Sequence, residues 1–408
     1  MCRRDRRSPG PPPGRRPTER DARRGELEAG NGRLCLSPHY CPRWPVSWCD
    51  GVPATRSRGP TSVSRMATLN PSPPAADRYH GDQAVAPGML DFAVNVRQPR
   101  PPEWLTRRLA ERLGDLASYP SLRDVHRAQD AAAARHGRAR DEVLPLAGAA
   151  EGFGLLPNLR PARAALVAPS FTEPAVALGA AGVPVEHVVL EPPFRLDGAR
   201  VPDDADLVVV GNPTNPTSVL HTREQLIALR RPGRILVVDE AFADSVPGEP
   251  ASLAGDSLPD VLVLRSLTKT WALAGLRVGY ALGAPEVLAR LTARRAHWPV
   301  GTLQLTAIAA CCEPWAVAEA AAGALRLTRL RAEMVAGLAS VGADVVDGRA
   351  PFVLFRHPDA ASLRNNLERK GIAVRRCDTF VGLDERYLRA AVRPEWPLLV
   401  DAIAGVSR

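Results

Sequence analysis

The chain of 408 residues carries 53 basic side chains, yet only two of them are lysines. Where a plain positive charge suffices the sequence writes arginine, so a retained lysine points to chemistry that a guanidinium cannot do. A primary amine can be tuned by burial and neighbours into a nucleophile that forms a Schiff base, whereas arginine stays charged at any relevant pH. Lys269, in Ser266-Leu-Thr-Lys-Thr-Trp-Ala-Leu-Ala-Gly-Leu-Arg-Val-Gly-Tyr280, is the candidate for covalent catalysis. Lys370 stands in Leu-Glu-Arg-Lys-Gly, the pattern of a solvated last helical turn before a glycine stop.

Other reactive groups recur at one fixed place in the pattern. From about residue 140, short apolar, β-branched runs alternate with helical stretches, at 143–146, 164–168, 185–190, 207–210, 235–238, 261–264 and 278–282. Runs that are apolar throughout and alternate with helices predict an α/β fold with a mainly parallel sheet and helices on both faces. Ligands of such sheets gather beyond the carboxyl ends of the strands. There stand Gly148-Ala149-Ala150-Glu151, Pro169-Ser170-Phe171, Asn212 to Thr217, Asp239-Glu240 and Ser266 to Lys269. One polar turn after a strand is commonplace, but five in the same position argue for one site. After Ala296 the pattern changes to a long Ala-rich helical region, strand 351–356, a helix from about Ala360, and strands 371–374 and 387–392, which together read as a smaller α+β domain.

These residues resemble the fold-type I pyridoxal-phosphate enzymes of the class I/II aminotransferase superfamily, from about Tyr79 to the C-terminus. The most specific element is S-x-[ST]-K with an arginine eight residues beyond the lysine and then x-G-Y, carried here by Ser266, Thr268, Lys269, Arg277 and Tyr280. The resemblance implies that Lys269 holds pyridoxal 5'-phosphate covalently and later moves the proton. It makes Ser266, Thr268 and Arg277 phosphate ligands, with Gly148, Ala149 and Ala150 as a seat of backbone amides. Asp239 would pair with the pyridine nitrogen, keeping the ring an electron sink. Asn215 would bond the ring's phenolic oxygen, Phe171 would stack on the ring, and Tyr119 would reach the phosphate of a neighbouring subunit, which implies a homodimer with shared sites. The repeated Asn-Pro could also contain a cis bond. Arg389 would clamp the substrate's carboxylate. Two positions depart from the family pattern: Phe242 stands where tyrosine is usual, and Ser218 where glycine closes the Asn-Pro-Thr turn.

Within the superfamily the chain looks most like threonine-phosphate decarboxylases of cobalamin synthesis and the related histidinol-phosphate aminotransferases. Tyr79-His-Gly81, residues 90–95, Gly371 to Cys377 and Leu388 to Arg393 carry that likeness. Both groups act on phosphorylated amino compounds, so His80, Asn95, Arg375, Arg389 and Arg393 are expected around the substrate. The His-Gly opening leans to the decarboxylase, with transamination as the alternative, although Asp82 replaces the usual second glycine.

The organisation expected is a disordered, basic Pro/Arg-rich tail at 1–66 and an arm at 67–110 that joins the small domain. A large cofactor-binding domain at 111–295 and the small C-terminal domain at 296–408 follow. The tail holds 14 arginines against 6 acids, so it carries +8 of the chain's net +9 and the body is nearly neutral. That distribution argues against a nucleic-acid-binding body. A fused DNA-binding regulator would need a winged helix-turn-helix, and the tail lacks periodic apolar helices. As a secretion or transit signal the tail also fails, and its change of composition makes Met66 a candidate start. Cys35, His39, Cys41 and Cys49 match no paired CxxC spacing, so no metal is expected. No run of 18 apolar residues suggests a membrane span. Cys311, Cys312 and Cys377 in the body fit a reducing cytoplasm.

Overall fold

The computed structural model describes residues 79–405; the tail, its cysteines and Met66 lie outside the described residues. The apolar runs become seven strands: β1 (Val143–Leu146), β2 (Ala164–Ala168), β3 (Val185–Val189), β4 (Leu207–Gly211), β5 (Ile235–Asp239), β6 (Val261–Ser266) and β7 (Gly279–Leu282). They form one sheet in the order β1-β7-β6-β5-β4-β2-β3, in which only β7 runs antiparallel to its neighbours. The α/β fold expected from the sequence is the one found.

Side chains of a strand alternate between its two faces, and here both faces are cores. Ala165, Val167, Val208, Val210, Leu236, Val238 and Val263 pack into one apolar cluster. Their chain neighbours Ala164, Leu166, Leu207, Val209, Val237, Leu262 and Leu264 pack into the other. This double burial explains the lack of polar alternation in the runs, and it locks the register. Gly211, Asp239 and Leu264 are consecutive partners across β4, β5 and β6, and Leu146 and Ser266 both face Gly279 of β7. The polar segments that follow β1, β4, β5 and β6 are thereby brought to one edge of the sheet.

Helix α1 (Leu122–His136), begun by the Ser121 cap on Asp124 N and ended by Gly137 in the left-handed region, packs on α4 (Thr302–Cys311). Helices α2 (Ala149–Leu155) and α3 (Glu173–Ala180) open directly after the β1 and β2 ends. The 27-residue α5 (Pro314–Ser340) leads to a four-stranded sheet built on β8 (Phe352–Arg356) and β9 (Tyr387–Ala391), with α6 (Ala360–Arg369) beside it. Leu90–Asp91 pairs in parallel with Ile372–Ala373, and Phe92 is buried in the same core as Val353, Phe355 and Leu388. Among the described residues no single helix is long and apolar enough to cross a membrane.

Candidate active site

The five strand-end segments, joined by residues 80–96 and by Arg375, Phe380 and Arg389, surround a cavity of about 550 Å³. Of the residues singled out by sequence, His80, Asn95, Ala149, Ala150, Phe171, Asn215, Asp239, Ser266, Thr268, Lys269, Arg277, Arg375 and Arg389 all line it.

Lys269 follows β6 with its amine in the cavity. Burial, together with the positive charges of Arg389 and Arg277, lowers its pKa to about 8, against the opposing pull of Asp239. About a tenth of the amine is then neutral at pH 7, where an ordinary lysine is almost wholly protonated. Asp239 closes β5; burial pushes its carboxyl up to about 6, although Oδ1 accepts a hydrogen bond from Ala241 N at 3.1 Å. A buried acid of this kind is stabilised as the anion by a cationic N–H beside it.

Just before Lys269, Ser266 Oγ and Thr268 Oγ1 lie 2.6 Å apart, with each other as their side-chain partner. Arg277, at φ +59°, swings its guanidinium back so that a Cβ on Gly148 would stand 3.0 Å from Nη2. Gly148 itself adopts φ +82° and opens α2, whose first residues Ala149 and Ala150 face the cavity. Glycine there supplies both the left-handed backbone and the room for Arg277. Hydroxyls, a guanidinium and small-residue backbone together suit a phosphate.

Asn215 receives Arg389 Nη1 on Oδ1 at 2.6 Å, while Arg389 Nη2 donates to Ala93 O at 2.6 Å. Arg389 is drawn from β9 over the Phe352 ring of β8, 5.2 Å from its centroid, and burial lowers its pKa to about 10. Arg375 lies over the rings of Tyr79 and Phe380 and donates to Tyr79 O and Thr379 Oγ1. Among the described residues neither guanidinium has a carboxylate within ion-pair distance. Arg389 Nε, Arg375 Nη1 and Asn95 Oδ1 are buried without a hydrogen-bond partner. Orphaned buried polar atoms are costly, and here they surround space that a polyanionic ring compound and an anionic substrate would fill.

Three expected site residues do not line the cavity: Gly148, which makes room for Arg277 just behind it, Arg393 and Tyr119. Arg393 lies beyond the end of β9, where Nη2 donates to Val94 O at 3.2 Å and faces Asp91 at 3.5 Å. These contacts hold it against the turn before Asn95. Tyr119 is 72% exposed and stacks on Trp298, with ring centroids 4.2 Å apart, outside this chain's cavity. The two departures also have visible settings. Phe242 lines the cavity with its ring edge-on to Phe352 at 5.0 Å, and Ser218 adopts φ +66°. Asn212–Pro213 and Asn215–Pro216 are both cis. Phe380, in the segment Phe380 to Leu383 that also carries the family likeness, lines the cavity without having been assigned a role, and the sequence reading missed Phe153 and Glu173, whose Oε1 lies 3.1 Å from His80 Nε2. Glu173 opens α3 and looks like an ordinary first-turn acid.

The sequence profile described as "Aminotransferase class I and II" matches residues 87–396. The chain belongs to this aminotransferase family. Its cofactor is therefore pyridoxal 5'-phosphate. The histidinol-phosphate aminotransferase of Mycobacterium tuberculosis strain H37Rv is 78% identical over 346 residues, which cover 85% of this aminotransferase and 95% of that protein. The threonine-phosphate decarboxylase of Salmonella typhimurium is 30% identical over 322 residues, or 75% of this chain and 87% of that one. The crystal structure of the histidinol-phosphate aminotransferase from Clostridium acetobutylicum superposes with a TM-score of 0.71 at 24% identity, covering 78% of this chain and 99% of that chain. At that identity the likeness is one of fold.

Proposed function

We propose that this aminotransferase transfers the amino group of histidinol phosphate to a 2-oxo acid. The observation that carries this reading is the 78% identity with a relative of that name across 95% of the relative's length. It reverses the order read from the sequence, where the decarboxylase came first.

Bound pyridoxal phosphate supplies a carbonyl carbon for amines and an electron-withdrawing ring that stabilises charge at the substrate carbon. The chain's residues do the rest. Lys269, its pKa near 8, holds the cofactor and then carries the proton between substrate carbon and cofactor, a task suited to a group that titrates near neutrality. Asp239 holds the proton on the ring nitrogen. Arg389 fixes the Asn215 amide by occupying Oδ1, which leaves Nδ2 to donate to the ring oxygen. Ser266, Thr268, Arg277 and the backbone at Ala149 and Ala150 hold the cofactor phosphate, and Phe171 covers the ring. Arg389 and Arg375 receive the substrate's anionic group. Tyr119 acts from a neighbouring subunit in a homodimer, a role supported by its exposure beside Leu113, Leu116, Leu122 and Trp298, all more than half exposed.

One observation favours a second reading. Two separate buried guanidiniums would also suit a substrate with both a carboxylate and a phosphate, as phosphothreonine has. Incubation with histidinol phosphate and 2-oxoglutarate should yield glutamate. Carbon dioxide from phosphothreonine, with no glutamate from histidinol phosphate, would replace transamination by decarboxylation.

A further inference from the structure

Ser218 and Gly348 form a clasp behind the substrate-anion clamp. Ser218 is fully buried and holds φ +66°, a left-handed conformation that favours glycine. Its position is fixed from both sides. Ser218 N donates to Thr214 O at 2.7 Å, closing the five-residue turn that carries Asn215. Its Oγ accepts from Ala350 N at 2.8 Å, and its carbonyl accepts from Arg349 N at 2.7 Å. Gly348 passes so close that a Cβ there would stand 2.4 Å from Ser218 O. Two segments more than a hundred residues apart in sequence are thus joined by two hydrogen bonds and a backbone contact.

Each of these segments delivers one support of Arg389. The turn of Thr214 to Ser218 delivers Asn215, whose Oδ1 takes Nη1 at 2.6 Å. The segment after Gly348 runs through Ala350 into Phe352, whose ring lies under the guanidinium and packs with Phe242. Beyond these two supports, Arg389 has one further hydrogen bond, from Nη2 to Ala93 O at 2.6 Å, no carboxylate within ion-pair distance among the described residues, and a buried Nε without a partner. With Nη2 held by Ala93 O, the aim of the other edge depends on the spacing between Asn215 and Phe352, which the clasp spans.

We propose that Ser218 is a positioning residue for anion recognition, acting through the Ala350 amide to hold Asn215 and Phe352 at the separation that aims Arg389 into the cavity. A serine is retained at a glycine-like conformation because its hydroxyl makes the bond that glycine cannot. The proposal rests on the reading of Arg389 as the substrate-anion clamp, and not on which phosphorylated amine is the substrate.

Two variants attack the clasp from opposite sides in the holoenzyme. Ser218→Gly relieves the backbone and removes the hydroxyl with its methylene; Gly348→Ala keeps the hydroxyl and blocks the approach. Loss of one net hydrogen bond corresponds to about a three- to tenfold change. Both variants should raise KM for histidinol phosphate by about that factor, leave kcat within about twofold, and weaken inorganic phosphate binding, measured by calorimetry, in parallel. Unchanged KM and phosphate affinity in Ser218→Gly, or a lowered melting temperature as the sole effect of both variants, would overturn the clasp. Arg389→Gln serves as the separate control. If it leaves phosphate affinity intact, the clamp reading fails; if it abolishes binding while Ser218→Gly does not weaken it, the clamp stands and the clasp fails.

Discussion

Arg265 and Arg389 are nearly equally buried, at 1% and 5% exposed, and their surroundings are opposites. Arg265 projects from β6 into a set of carboxylates: Glu240 at 2.9 Å, Glu249 at 2.6 Å, and Asp244, which also binds Arg135 at 2.9 Å. Glu240 is further bound by Ser252 Oγ and Leu253 N. Arg389 meets a carbonyl, an amide oxygen and an aromatic face. A buried cation whose charge is cancelled by its own chain is a structural element. One left uncancelled beside a cavity is a cost borne in the empty protein and recovered when an anion arrives. Adjacent residues at the end of β5 mark the divide, since Asp239 lines the cavity while Glu240 belongs to the ionic set.

The contrast breaks most visibly if the two arginines are exchanged for neutral residues. Arg389→Gln should lower kcat/KM about a thousandfold, close to 4 kcal/mol, while leaving the melting temperature unchanged or higher, because an uncancelled charge has been removed. Arg265→Met should do the reverse. Leaving buried carboxylates without their cation costs about 3 to 5 kcal/mol, so the denaturant midpoint falls, while kcat/KM of the folded fraction stays within a few fold. A large activity loss in Arg265→Met at unchanged stability would erase the distinction.

Much of this was legible in the sequence, and the exceptions have physical causes. Strands buried on both faces cannot hide their apolar runs, and β1 and β2 fall on the residues expected. Lys269, Asp239 and Asn215 were legible because each stands at or just after the end of an apolar run and matches the family pattern; the register that aligns those ends came with the structure. Glu173 was not, since an acid in a first helical turn has an ordinary reason to be there. Arg265 closed an apolar run and carried no sign that three carboxylates would meet it. Arg393 was expected near the substrate from the family likeness of residues 388–393; β9 stops at Ala391, and the side chain is held at Val94 O, outside the residues that line the cavity.

The uncancelled charge of Arg389 also reaches Lys269, and pH shows the effect. Lysine attacks as the neutral amine, so capture of pyridoxal phosphate by the cofactor-free protein should rise about tenfold per pH unit below 8 and level off above it. The lowered pKa comes first from burial and then from Arg389 and Arg277. Removing the positive neighbour in Arg389→Gln therefore raises it, and the plateau should move to higher pH. Stopped-flow absorbance across pH 6 to 10 would follow this. A plateau that stays at pH 8 in the variant would mean that burial and Arg277 tune the lysine without Arg389.

The smallest effect belongs to Phe242, which joins the cofactor end of the cavity to the anion end by packing on the ring that supports Arg389. On the proposed reading, its apolar ring would leave Asn215 as the side-chain donor to the cofactor's phenolic oxygen. A hydroxyl added in Phe242→Tyr, directed at the cavity, would donate a second bond to that oxygen in its charged form and so favour loss of the proton from the lysine–cofactor linkage. One net hydrogen bond corresponds to about one pKa unit or less, downward. An absorbance titration of the holoenzyme would read the shift directly. If the pKa falls while phosphate affinity is unchanged, the two ends of the cavity are tuned separately. If phosphate affinity changes as well, the Phe242–Phe352 contact transmits between them, and Arg389 is set by the cofactor side as much as by its own strand.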